Sequence, residues 1–133
     1  MSSYLILKQD DKVLLLLRQN TGYCDGQYGL VSGHVEEGES ATVAMIREAQ
    51  EEAGIGILPS QLKVCHIMHR KSGRLNIDIF FKCEDWQGSI INREPEKCAA
   101  LEFFPRDQLP ANTIDYISYV LKTKDFYSEQ GWE

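Results

Sequence analysis

Cations are scarce in this 133-residue chain: 14 lysines and arginines face 20 aspartates and glutamates, for a net charge of −6. That balance argues against a nucleic-acid duplex or an anionic membrane as partner, while leaving room for a small anion carried with a metal. Long apolar runs are missing too. The longest, residues 13–17, is far too short to span a bilayer. Residues 1–12 lack a basic region followed by an apolar core, so no signal peptide is expected. The four cysteines, Cys24, Cys65, Cys83 and Cys98, are too widely spaced for a CxxC zinc or redox pair. A chain of this size needs no disulfide, so a reduced, cytoplasmic protein is the expectation. Repeats, low-complexity segments and linkers are absent, and 43% hydrophobic content fills one core. A single domain over 1–133 follows.

What is present reads as alternating short elements. Residues 4–7 and 13–18 flank a polar turn and predict a hairpin. The unbroken apolar run 13–17 suits a strand covered on both faces. Residues 19–27 form a loop and 28–32 a short strand. Ser40 is placed to cap a helix over 41–53 that Gly54 ends. Residues 62–70 and 75–83 read as a second strand pair around the turn 71–74. In the latter strand Leu75, Ile77, Ile79 and Phe81 alternate with Asn76, Asp78, Phe80 and Lys82. Ile90 and Ile91 could begin an edge strand, 92–98 is a charged loop broken by Pro95, and 101–104 is a further strand. Asn112 or Thr113 would cap a last helix over 114–127, with Ile114, Ile117 and Leu121 inward, and the tail 129–132 carries no signal. The sum is an α+β domain, a mixed sheet flanked by two principal helices in an α/β/α sandwich.

The chemistry concentrates in residues 33–55, GHVEEGESATVAMIREAQEEAGI. On a helical wheel from Ala41, Glu51, Glu48 and Glu52 fall near about 280°, 340° and 20°. Met45, Ala49, Thr42, Ala53, Ile46 and Val43 cover the arc from about 40° to 200°, the expected buried face. Like charges at these spacings repel by a few tenths of a kcal/mol each, and Arg47 neutralises one at most. An absent cation is implied, and three carboxylates suit hard Mg²⁺ or Mn²⁺, normally completed by substrate phosphates. An ordinary solvated acidic face is the alternative on the glutamates alone.

The spacing goes further. Gly33, Glu39, Arg47, Glu48, Glu51, Glu52 and Gly54 fill every fixed polar or glycine position of a signature, and the stretch resembles the box of the Nudix hydrolase superfamily. Ser32 stands where many members carry glycine. The resemblance implies a Nudix fold in which Glu48, Glu51 and Glu52 hold the metal with a backbone carbonyl near Ser32 or Gly33. Glu51 or Glu52 would be the catalytic base toward water, while Gly33, Glu39, Arg47 and Gly54 shape the box. The implied reaction is hydrolysis of a nucleoside diphosphate linked to another group. A nucleoside triphosphate, modified or not, is the leading expectation, as in the MutT-like members. Nucleotide sugars, dinucleoside polyphosphates or a non-catalytic nucleotide-binding module are the alternatives, and a homodimer is carried over from the family.

Residues 92–98 also resemble a segment of the triphosphate-cleaving members, where Glu96 would add a ligand or base. The alternative is a solvated loop. Arg18 either meets a phosphate or caps a solvated strand end. Tyr4, Leu5, His69, Phe80 and Phe81 are the base-pocket candidates, with core packing as the competing role for most. His66 and His69 lie three apart on one strand and face opposite sides, which excludes a paired histidine site. His34, in the box loop, reads as solvated.

Overall fold

A computed structural model describes residues 1–132. The strands are β1 (Ser2–Gln9), β2 (Lys12–Arg18), β3 (Tyr28–Gly29), β4 (Val31–His34), β5 (Lys63–Ser72), β6 (Arg74–Cys83), β7 (Cys98–Pro105) and β8 (Tyr127–Gln130). The helices are α1 (Ala41–Ala53) and α2 (Asp115–Lys122), with a 3₁₀ turn at Pro59–Gln61. The strands form one mixed sheet in the order β3-β2-β1-β6-β5-β8, with β4 added to β1 and β7 to β2. β1 is the hub. It runs antiparallel to β4, with Tyr4 opposite Ser32, and parallel to β6, with Tyr4 opposite Phe80.

Alternation along β2 places its side chains in two cores. Leu14 and Leu16 join Leu5, Leu7, Met45 and Phe81 on the α1 side. Val13 and Leu15 join Ile6, Met68, Phe80, Ile117 and Leu121 on the α2 side. The run 13–17 is therefore covered on both faces, and the sandwich has a helix on each. Each such buried side chain contributes roughly 1.5–3 kcal/mol from apolar burial.

Helix α1 starts and stops where the sequence predicts. Ser40 Oγ accepts from the Val43 amide at 3.1 Å, and Gly54 turns left-handed at φ 68° with its N–H on the Gln50 carbonyl. Its inward face is rotated from the expected one. Ala44, Met45, Ala49 and Ala53 are buried, while Val43 is 51% exposed. The buried arc is centred near about 30° on the wheel, so Glu48 and Glu52 lie within it. Ala44 makes the rotation feasible, since its lone methyl lets the helix sit close to the sheet, where Ser3 Oγ donates to the Ala41 carbonyl.

Three other expectations are corrected. Ile90 and Ile91 form no strand; the Ile91 amide instead donates to the Ala53 carbonyl at the end of α1. Neither Asn112 nor Thr113 caps α2. Ile114 holds the cap position without a side-chain bond, and the Thr113 hydroxyl donates to the Pro110 carbonyl. The last helix also ends at Lys122, and 127–130 instead forms β8, which runs parallel to β5. Among the described residues no helix is long and apolar enough to cross a membrane.

Candidate active site

A cleft of about 710 Å³ opens between β4, the N-terminal end of β1, α1, α2 and the β5–β6 hairpin. Its acidic end is built by α1. The Glu48 side chain is 12% exposed and Glu51 50% exposed, and Glu52 is half-buried. Burial pushes the Glu48 carboxyl up to about 7 against the pull of Arg47. It pushes Glu52 up to about 8, with the Ser32 amide donating to Glu52 Oε1 at 3.0 Å as the opposing influence. Desolvation disfavours the charged form of a carboxylate, and at both positions it outweighs the groups that favour it.

The absence of a side chain at Gly33 makes room for the Glu48 carboxylate in this position. A Cβ at this position would fall into the Glu48 carboxyl group. Arg47 clamps the box loop to the helix: Nε and Nη2 donate to Glu39 at 3.2 and 2.8 Å, and Nη2 also reaches the His34 carbonyl. That bond holds the Glu39 carboxyl below its ordinary range and the Arg47 guanidinium above its own. Nη1 of Arg47 donates to Glu48 at 2.6 Å and to Glu51 at 3.4 Å. One guanidinium thus serves four acids, Glu36, Glu39, Glu48 and Glu51, and among the described residues Glu52 has no ion pair.

Among the described residues no three His, Cys, Asp or Glu side chains already converge as a metal centre. The donor chemistry nevertheless fits a hard divalent cation: three oxygen donors, two of them desolvated, lie beside a glycine backbone. Glu48 would exchange Arg47 for the metal.

The cleft's other end is aromatic and polar. Tyr4 and Tyr116 meet through their hydroxyls at 3.2 Å, and Tyr23 reaches Tyr116 at the same distance. Burial pushes all three phenols up, so they stay protonated. Behind them Arg70 lies over the Tyr116 ring at 4.2 Å and donates to Asp78 Oδ2 at 2.7 Å, to Ser72 and to Tyr4. Arg70, Asn76 and Asp78 are all buried, whereas Leu75 and Ile77 are exposed. The alternation in β6 holds, but at this end of the sheet its polar half turns inward. Burying polar groups costs stability unless they are paired, and here Arg70, Asp78, Ser72 and Asn76 pair with one another, while Arg70 and Asn76 also line the cleft.

The sequence candidates separate as follows. Tyr4, Arg18, Gly33, His34, Glu48, Glu51 and Glu52 all face the cleft. Arg18 also organises the loop 19–27 through the Tyr23 carbonyl and the Thr21 hydroxyl. Phe80 is fully buried and stacks under Tyr4 with ring centroids 4.6 Å apart, supporting the wall from behind. Leu5 and Phe81 belong to the core on the α1 side. His69 lies outside the cleft, packed on Trp132 at 4.7 Å, and His66 is buried on the other face against Ser128 and Asp125. Glu96 is exposed and does not line the cleft; its carbonyl ties the loop to Asn20. Glu94, two residues earlier, is the carboxylate of that loop that lines it. Arg70, Asn76, Tyr116 and Glu94 were not singled out from the sequence, and the inward polar pair of β6 is the signal that could have found two of these neighbours.

With this geometry in view, comparison with known proteins is decisive on one point. A family model described as the NUDIX domain matches residues 2–122. The chain belongs to the NUDIX domain family. It is 33% identical over 112 residues to a protein of Methanocaldococcus jannaschii named ADP-ribose pyrophosphatase, a match covering 84% of this chain and 64% of that one. It is 43% identical over 58 residues to an uncharacterised Nudix hydrolase of Bacillus subtilis, covering 44% of this chain and 34% of the other. The chain therefore spans less than two thirds of the length of these curated relatives. The crystal structure of a MutT NUDIX hydrolase from Burkholderia pseudomallei superposes with a TM-score of 0.83, covering 91% of this chain and 94% of that one. At 22% identity that likeness speaks for the fold alone.

Proposed function

We propose that this NUDIX chain hydrolyses a nucleoside diphosphate linked to a further group. Within that class our reading is a nucleoside triphosphate, plain or base-modified, cleaved to monophosphate and pyrophosphate. The observation that carries it is the placement of Glu48 and Glu52, two desolvated carboxylates in the inward arc of α1, at one end of a cleft whose other end is aromatic.

Glu48, Glu51 and Glu52 would hold Mg²⁺ or Mn²⁺, which supplies positive charge against the phosphate oxygens. Arg47 and Gly33 set the position of those carboxylates. Glu52 Oε1 is fixed by the Ser32 amide, which leaves Oε2 to orient the attacking water and take its proton. Water adds to phosphorus, the bridging P–O bond breaks, and the leaving phosphate group departs with that electron pair. Glu51, more exposed and farther out on the wheel, serves as a ligand in this reading. Tyr4 and Tyr116 would flank the base, with Arg18 near the phosphates.

A second reading, an ADP-ribose-type substrate, draws support from the name of the Methanocaldococcus relative. A non-catalytic binding module is disfavoured because every glutamate of the box is present.

The test is incubation with Mg²⁺ and a panel of nucleoside triphosphates, modified triphosphates, ADP-ribose and nucleotide sugars, reading the phosphate species released. Triphosphates should turn over with the highest kcat/KM, and no turnover of any compound would sink the enzyme reading. Glu52→Gln should lower kcat by about 10²-fold or more with the fold intact. Wild-type-like activity in that variant would remove Glu52 from the chemistry.

A further inference from the structure

A second hollow, of about 290 Å³, lies away from the acidic end of the cleft, between the C-terminal end of α2 and the strands β1, β5 and β6. Four cations from four separate segments line it: Lys8 from β1, Lys82 from β6, Arg106 after β7 and Lys124 after α2. Asp125 is the one acid in the lining. In a chain with 20 acids and 14 lysines and arginines, a wall drawn at random would lean the other way.

The local carbonyls and acids account for only part of this. Arg106 Nε donates to the Leu121 carbonyl at 2.7 Å, and cations commonly gather at a helix C-terminus, which also suits Lys124. Lys8 and Lys82 come from the sheet and have no such reason. Lys82 has Glu84 at 3.1 Å in a solvent-exposed pair, and among the described residues Lys8 and Lys124 form no ion pair. Ile6, Val13 and Leu121 give the hollow an apolar floor, which lowers the local dielectric and strengthens the field of the cations above it.

We propose that this hollow is a binding site for a small phosphate-bearing anion, separate from the hydrolytic cleft. Lys8, Lys82 and Lys124 supply compact ammonium charges, and Arg106 keeps its remaining N–H groups for the anion. The hollow holds a pyrophosphate group with space for a small attached body. The assignment does not depend on which nucleotide the cleft cleaves.

The probe is inorganic pyrophosphate, titrated into the full chain in EDTA at constant ionic strength and followed by ¹H–¹⁵N correlation spectra. Saturable shifts are expected at Lys8, Lys82 and residues 120–125. The double variant Lys8→Gln, Lys124→Gln should weaken this binding about tenfold or more while leaving the ligand-free spectrum elsewhere unchanged. Should those two changes disturb the fold, Lys82→Gln alone gives the same comparison. Shifts confined to the cleft residues Gly33 and Glu52, shifts reproduced by NaCl alone, or affinity unchanged by charge removal would each overturn the proposal.

Discussion

Glu52 shows how one side chain's surroundings change what it can do. On the wheel it is merely one of three acids, and only the rotation of α1 puts it inside. Its carboxyl is raised from 4.5 to about 8 by burial, so the folded protein retains a proton that the unfolded chain has lost across that window. Stability of the metal-free protein should therefore be greatest below about pH 4.5 as far as this group is concerned, and should fall as pH rises toward 8. Thermal unfolding in EDTA between pH 5.5 and 8.5 checks the sign, and Glu52→Gln should flatten the decline. A melting temperature rising over that interval in wild type, with no change in the variant, contradicts it. Asp78 differs in having a cation beside it: it is a fully buried acid whose partner Arg70 is itself buried. Asp78→Ala leaves that guanidinium uncompensated and should cost about 3–5 kcal/mol in urea unfolding. A loss below 1 kcal/mol would mean that water or Tyr116 suffices for Arg70.

Among the elements, those with local signals were legible. The cap at Ser40 and the left-handed turn at Gly54 depend on neighbours within a few residues, so the sequence places α1 to the residue. The tail 127–130 carries no such signal. β8 exists because β5 offers it an edge, with Met68 opposite Ser128 and Arg70 opposite Gln130, and because His66 and Ser128 complete each other's hydrogen bonds at 2.8 Å. The orientation of β6 was illegible for a related reason. A period of two names the faces without saying which is inside, and apolar content misleads where Asn76 and Asp78 are inward. Stopping the chain after Lys124 should uncover the edge of β5 and strip both ring nitrogens of the buried His66 of their partners, the Asp125 carbonyl and the Ser128 hydroxyl. Light scattering should then rise well before the wild-type melting temperature, as exposed strand edges pair between molecules. A truncated chain that stays monomeric with an unchanged melt would show β8 to be dispensable.

The whole sheet depends on distant partners. Ser2 lies opposite Asp78 in the β1–β6 ladder, Ile67 opposite Tyr127 in β5–β8, and Leu14 opposite Phe103 in β2–β7. Such non-local pairing predicts folding in milliseconds to seconds, and a stopped-flow phase completing the native signal in microseconds would be inconsistent with it. The site inherits this dependence, since Tyr4 and Ser32 face one another only once β1 and β4 are paired. The two ends of the cleft nonetheless rest on different parts. Glu48 and Glu52 ride on α1, while Tyr116 comes from α2 and Arg70 and Asn76 from the β5–β6 hairpin, largely on the opposite face of the sheet. Substitutions in α2 and the hairpin can therefore accumulate over descent without reaching the carboxylates. A lineage can change what it recognises while conserving how it cuts.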